Sequence, residues 1–201
     1  MSEPAPAPPS PRPVRALDAP ADHLVMLEVR NGDVEKLGIL FERHHRTLFN
    51  LFLRLTGNRS LSEDLVQDAF MRILRFRHTY RAESLFTTWM YRIARNVSTD
   101  HFRSRKHEVA WDEEMPEPAS QELHAGERLE QREETALLRA ALARLPEEKR
   151  EVLVLSRYQN LKYEEIAEIL SCSVASVKVR VFRAHQDLGE IFFKLSKRKA
   201  S

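Results

Sequence analysis

A chain of 201 residues, with 32 Lys and Arg against 30 Asp and Glu, is long enough for one domain or two. Only five glycines and an abundance of Leu, Glu, Arg and Ala favour helix and argue against a sheet. The single cysteine, Cys172, excludes an internal disulfide, and no apolar run approaches the roughly eighteen residues of a membrane span, so a cytoplasmic protein without membrane insertion of its own is expected.

Seven of the ten prolines fall in the first twenty residues, which predicts a disordered tail over residues 1–21 rather than a signal peptide. An ordered domain is predicted over 22–106. Asn31-Gly32-Asp33 reads as a turn, and Leu37, Phe41, Leu48, Phe52 and Leu55 then recur on one helical face until Thr56-Gly57-Asn58 ends the helix. Ser60 and Glu63 have capping-box spacing, which predicts a helix from Leu61 with Leu65, Ala69 and Ile73 facing inward, flanked by Val66, Phe70 and Leu74. A third helix, capped by Ser84, is expected to run to about Arg105. Residues 107–126 are acidic, contain Pro116 and Pro118, and lack a period, so they read as a flexible linker. A second domain follows over 127–196: a helix ending near Leu145, another opened by Pro146, and periodic segments at Tyr163–Leu170 and Val174–Ile191. A basic tail, 197–201, closes the chain. The expected fold is all-α, two small helical domains joined by an acidic strap.

The small net charge of +2 hides an uneven distribution. Five cations face one acid between Arg92 and Lys106, and seven face two between Lys178 and Lys199, with ten acids against two arginines from Glu108 to Glu134. Two basic blocks suggest two contacts with a polyanion. In the second domain, two helical patterns separated by Ser171-Cys172-Ser173 have helix-turn-helix spacing, with Ala167 as the small residue at the crossing. Val174, Val177, Val181, Ala184 and Leu188 form the inner stripe, with Ser173 as cap. Lys178, Val179, Phe182, Arg183 and Gln186, with Ser176, then form an outer face fit for a major groove; the plainer alternative is a helical hairpin with a solvated basic face. Cys172 reads as a small buried plug, Lys162 as a poor helix cap, and Ser171 stands where such turns usually carry glycine.

In the first domain, Phe86, Trp89, Met90, Ile93, Ala94 and Val97 share one side of the third helix. Arg92, Arg95, Asn96, Thr99, Arg103 and Lys106 line another that can follow a phosphate backbone. Aromatic groups beside cations suit the stacking of single-stranded bases; Phe86 and Trp89 read as core, and Tyr80 is left between core and base contact. Glu63, Asp64, Gln67 and Asp68 form an acidic flank that DNA would repel, which leaves a protein partner or a merely solvated face.

These segments resemble the extracytoplasmic-function (ECF) sigma factors. Ser62-Glu-Asp-Leu-Val-Gln-Asp-Ala-Phe resembles the region-two helix that docks on the clamp helices of the largest polymerase subunit, which implies polymerase contacts by Glu63, Asp64, Gln67, Asp68 and Phe70. Phe86-Thr-Thr-Trp-Met-Tyr-Arg-Ile-Ala-Arg-Asn is similar to the segment that melts and reads the minus-ten element. Leu145-Pro-Glu-Glu-Lys-Arg-Glu-Val, Tyr163-Glu-Glu-Ile-Ala and Val177-Lys-Val-Arg-Val-Phe-Arg-Ala resemble region four, which reads the minus-thirty-five element as duplex. The resemblance implies that Asn96 holds a flipped base with Tyr80 near the same pocket, and that Arg92, Arg95, Thr99 and Arg103 attend the minus-ten strand. It assigns Ser176, Lys178, Val179, Phe182, Arg183 and Gln186 to the minus-thirty-five duplex, with Val179 standing where a small polar residue is common. The implied partners are core RNA polymerase through its clamp and flap, promoter DNA and an anti-sigma factor. The acidic linker would thread near the active-site channel, mimicking RNA.

Two other functions fit parts of the sequence. An ordinary helix-turn-helix regulator explains the second domain and leaves the first unused. A helical di-metal enzyme has only Glu42-x-x-His45 to support it, with no second Glu-x-x-His in the sequence. No catalytic residue, metal or other cofactor is expected.

Overall fold

The computed structural model describes residues 19–81, 83–109 and 129–200, and within them every regular element is a helix. Most of the predicted Pro-rich tail and the predicted acidic linker beyond residue 109 lie outside the described residues.

The first bundle opens with α1 (Ala19–Arg30), which buries Met26 and Val29. It ends in the expected turn, where Gly32 takes φ +119°, a conformation that side chains rarely adopt. A single 3-10 turn (Val34–Lys36) leads into α2 (Leu37–Thr56), and Gly57 closes that helix left-handed at φ +69° with its N–H on the Leu53 carbonyl. The buried face of α2 is Leu40, Leu48, Leu51, Phe52 and Leu55. Phe41, expected on that face, is 36% exposed, rotated one residue out, and packs edge-on against Phe70 while stacking on His45.

α3 (Arg59–Arg75) begins two residues before the predicted start. Its cap is Asn58, whose side-chain oxygen accepts the Leu61 N–H at 3.0 Å, and Ser60 lies inside the helix. Asparagine caps at least as well as serine, and the left-handed Gly57 delivers Asn58 in the extended conformation a cap requires. Glu63, released from the capping box, pairs with Arg59 at 3.1 Å on the surface. A 3-10 turn (Arg77–Thr79) then leads to α4 (Phe86–Val109), which starts beyond Ser84 and runs past the predicted end. Arg72 ties α3 to α4 by reaching both Asp68 and Asp100.

In the second bundle, α5 (Leu129–Ala143) is followed by α6 (Glu147–Leu153), with Pro146 at the cap position. A widened π turn (Val154–Tyr158) follows, its exit bent by Asn160 at φ +52°. α7 (Tyr163–Leu170) and α8 (Val174–Ala200) complete the bundle, and α8 absorbs the described part of the predicted basic tail. Ile166, Ala167, Ile169 and Leu170 of α7 pack on Val177, Val181 and Ala184 of α8, beside Val152 to Leu155. The two bundles meet where α4 lies on α7 and α2 lies on α5, α6 and the π turn, so the buried apolar side chains of both form one cluster.

Candidate nucleic-acid interface

The hinge between α7 and α8 is built from backbone polar groups. Ser171 adopts φ +51°, the left-handed position foreseen for glycine, and the Cys172 N–H reaches back to the Ala167 carbonyl at 3.0 Å. Ser173 Oγ accepts the Ser176 N–H at 3.1 Å, the cap expected for α8, and pairs with the Ser176 hydroxyl at 2.9 Å. Ser176 is thus partly occupied in holding the cap. Cys172 is partly buried against the apolar cluster. Lys162 cannot accept a bond from the first turn of α7, but Glu165 receives the Lys162 N–H at 2.6 Å, which supplies half of a capping box.

This frame fixes the rotation of α8. Val177, Val181 and Ala184 are buried, so Lys178, Val179, Phe182, Arg183 and Gln186 all stand on the outer face. Val179 is 48% and Phe182 is 63% exposed, which places two apolar groups among the cations of this face. Arg180, absent from the sequence-based set, is exposed on the same helix, and Arg157 from the π turn approaches the His185 ring at 3.2 Å.

On α4 the apolar side faces inward as expected, and Arg92, Asn96 and Arg103 are exposed, with Thr99 half-buried. The side chain of Lys106 lies outside those described. Arg95 is not presented to solvent in the same way: its guanidinium lies 3.3 Å from Glu151 of the second bundle. Tyr91, the next residue up that side, donates its hydroxyl to Gln159 at 2.8 Å. Burial pushes the Glu151 carboxyl up despite the opposing Arg95 charge, and it raises the Tyr91 hydroxyl well above its ordinary value.

Tyr80, left between core and base contact by the sequence, is buried in this structure. It is 1% exposed, donates to the Ser84 carbonyl at 2.8 Å and accepts from His23 Nδ1 at 2.7 Å, with Phe86 and Trp89 edge-on around it. Burial and the nearby Asp22 charge push its hydroxyl up to about 12. In this conformation Tyr80 organises the connection from beneath rather than meeting a base. The acidic flank of α3 is also revised: Glu63, Asp64 and Gln67 are exposed, Asp68 is held by Arg72, and Phe70 is 6% exposed and therefore part of the core. The apolar side chains offered beside that flank are instead Met71 and Phe76, which border a hollow with Asp68 and Arg75.

Residues that sequence reasoning missed lie at the junction of the bundles. Arg150 donates to the carbonyls of Leu142, Ala143 and Leu145 within its own bundle and to that of Leu55 in the other. Burial lowers its guanidinium from the usual value. The Arg54 guanidinium rests 4.4 Å from the centre of the Tyr158 ring. Such partners, 95 positions apart for Arg150 and Leu55, leave no periodic trace in a sequence.

Comparison with known proteins agrees with this architecture. The family model for Sigma-70 region 2 matches residues 40–108, and that for Sigma-70, region 4 matches residues 135–188. RNA polymerase sigma-H factor of Pseudomonas aeruginosa is 30% identical over 174 residues, 82% of this chain and 90% of that protein. The ECF RNA polymerase sigma-E factor of Escherichia coli K12 is 29% identical over 174 residues, 82% and 91% of the two chains. Among solved structures, the sigma factor RpoE of Bartonella quintana, in complex with the anti-sigma factor NepR, aligns with a TM-score of 0.65 at 25% identity, covering 77% of this chain and 94% of that one. CnrH, in complex with the cytosolic domain of CnrY, shares the fold with a TM-score of 0.66 at 24% identity, covering 87% and 98%. Two helical bundles in this order, matched by both region models and by relatives along most of their length, make this chain a member of the ECF family of RNA polymerase sigma factors.

Proposed function

We propose a division of labour between two cationic helix faces for an alternative sigma factor that directs promoter-specific transcription initiation. Sigma factors bind core RNA polymerase and promoter DNA, and the residues proposed here assign those contacts within this chain. The observation that carries the assignment is the outer face of α8, where Lys178, Val179, Phe182, Arg183 and Gln186 are exposed together while the inner stripe is buried. A helix enters the major groove with such a face, cations reaching guanine edges or phosphates. We assign it to the minus-thirty-five duplex. Arg92, Asn96, Thr99 and Arg103 on α4 are assigned to the minus-ten strand, with Arg95 once its partner is released. Extruding a base costs a few kcal/mol, which hydrogen bonds from a residue such as Asn96 would offset.

The α3 surface of Glu63, Asp64, Gln67 and Asp68, with Met71 and Phe76, is assigned to core polymerase. The Bartonella quintana relative was solved with an anti-sigma factor, and an anti-sigma factor is the further partner we propose for this chain. Transcription in vitro with core polymerase on a promoter library tests the set. Lys178→Ala and Arg183→Ala should each lower use of promoters that depend on the upstream element by about tenfold or more, as loss of one good base contact implies. Asn96→Ala should reduce open complex, read by permanganate reactivity, more than initial duplex binding. Normal transcription by all three variants would remove these assignments.

A further inference from the structure

Arg95 and Tyr91 belong to α4 of the first bundle, and they reach Glu151 on α6 and Gln159 at the exit of the π turn in the second. Glu151 has only 15% of its side chain exposed, and Arg95 has 33%. Arg95 is the cation that opposes the cost of burying this carboxylate, and neither side chain is fully free in solvent, so the pair differs from a meeting of mobile surface charges. Behind it, the Arg150 guanidinium takes the Leu55 carbonyl, in the last turn of α2, where carbonyls lack partners within the helix.

We propose that this seam is an internal latch: Glu151 stands in for a DNA phosphate on Arg95, so the closed chain withholds part of its single-strand face while leaving its duplex-reading face open. The inference rests on the assignment of α4 to the minus-ten strand. Carboxylate and phosphate oxygens both satisfy a guanidinium through charge-assisted hydrogen bonds, so an incoming strand can take Arg95 in exchange for Glu151, whose carboxylate is rehydrated as the bundles part. The outer face of α8, with Lys178, Phe182 and Arg183 exposed, has no part in the seam. Closure therefore separates two affinities in one chain: duplex binding is available in the closed form, and full single-strand binding requires opening.

The test uses the full-length chain and two readouts, radius of gyration by small-angle scattering and fluorescence anisotropy with labelled random-sequence 12-nucleotide DNA, single-stranded or duplex. Glu151→Arg places like charges at the seam and should expand the chain and tighten single-strand binding by about fivefold or more, the closed fraction no longer reducing the apparent affinity. Glu148→Arg makes the same charge change at an exposed position on α6 and is the control. Its effect on single-strand binding should be much smaller, with no expansion. The exchange Glu151→Arg with Arg95→Glu restores an opposite pair and should restore compactness. Tyr91→Phe, which changes no charge, should expand the chain partially while circular dichroism confirms a folded protein. Equal gains from Glu148→Arg and Glu151→Arg, or an unchanged radius in both Glu151→Arg and Tyr91→Phe, overturn the latch. Core-dependent transcription by the unaltered chain is measured alongside: its absence would remove the sigma assignment itself, whereas its presence with unaltered scattering overturns the latch alone.

Discussion

Asp22 is buried at 2% exposure, and its carboxylate receives Arg43 and His44 at 2.7 Å each. Burial alone would raise this carboxyl, but the hydrogen bonds from His44 and Arg43 outweigh it and hold the group below its ordinary value of 3.8. Its contribution to stability is therefore complete above that ordinary value and is lost as pH falls through the lower folded-state value. Asp22→Asn should cost about 2 kcal/mol at pH 7, the scale of hydrogen bonds to a charged group, and should flatten the acid limb of a melting-temperature profile between pH 5 and 2, about the range where a lowered carboxylate titrates. Val179 and Phe182 lead to an expectation of a different kind. The thymine methyl is the apolar group displayed in the major groove, so replacing thymine by deoxyuridine in a selected upstream duplex should weaken binding by the unaltered chain and not by Phe182→Ala. Because Phe182 is 63% exposed, the same substitution should leave thermal stability within about 0.5 kcal/mol.

Local helix signals decide what each element does at its ends, and they were only partly legible beforehand. Gly57 and the limits of α7 followed directly from cap chemistry and period, since both depend on residues adjacent in sequence. The start of α3 did not: Asn58 and Ser60 are both competent caps, and only the exit direction of α2 selects Asn58. Asn58→Ala should cost about 1 kcal/mol in chemical denaturation, and Ser60→Ala should cost much less, reversing the order the capping box implies. Phe41 was misplaced for a similar reason, because Leu40 and Phe41 fit the period equally well until Phe70 from α3 takes its side. Tyr80 was ambiguous because its partner His23 lies 57 positions away. The exposure of Lys178, Val179, Phe182, Arg183 and Gln186 on α8 was readable, since burial of one stripe of a helix fixes the other, whereas Arg180 and the cap role of Ser176 were not. At the hinge, Ser171 retains a Cβ at φ +51°. Ser171→Gly should therefore raise stability by about 0.5 kcal/mol, relief of left-handed strain exceeding the added chain entropy.

At the scale of the whole molecule, ionic strength should govern the distance between the bundles. The Arg95–Glu151 pair is partly exposed on the arginine side, and the Debye length falls from about 10 Å at 0.1 M to about 3 Å at 1 M salt. Scattering on the intact chain should accordingly show expansion between these conditions without loss of helical signal, and a constant radius would mean that the Arg95–Glu151 pair is not what holds the seam closed. None of this was visible in composition or periodicity, because the ties join residues from different domains. Arg150 sharpens the point. One guanidinium gathers three carbonyls where α5 runs into α6 and a fourth at the foot of α2. A lesion at this position could not be confined to folding or to inter-domain geometry, since the same planar group serves both, and compensating changes would have to arise at the ends of two helices far apart in the gene.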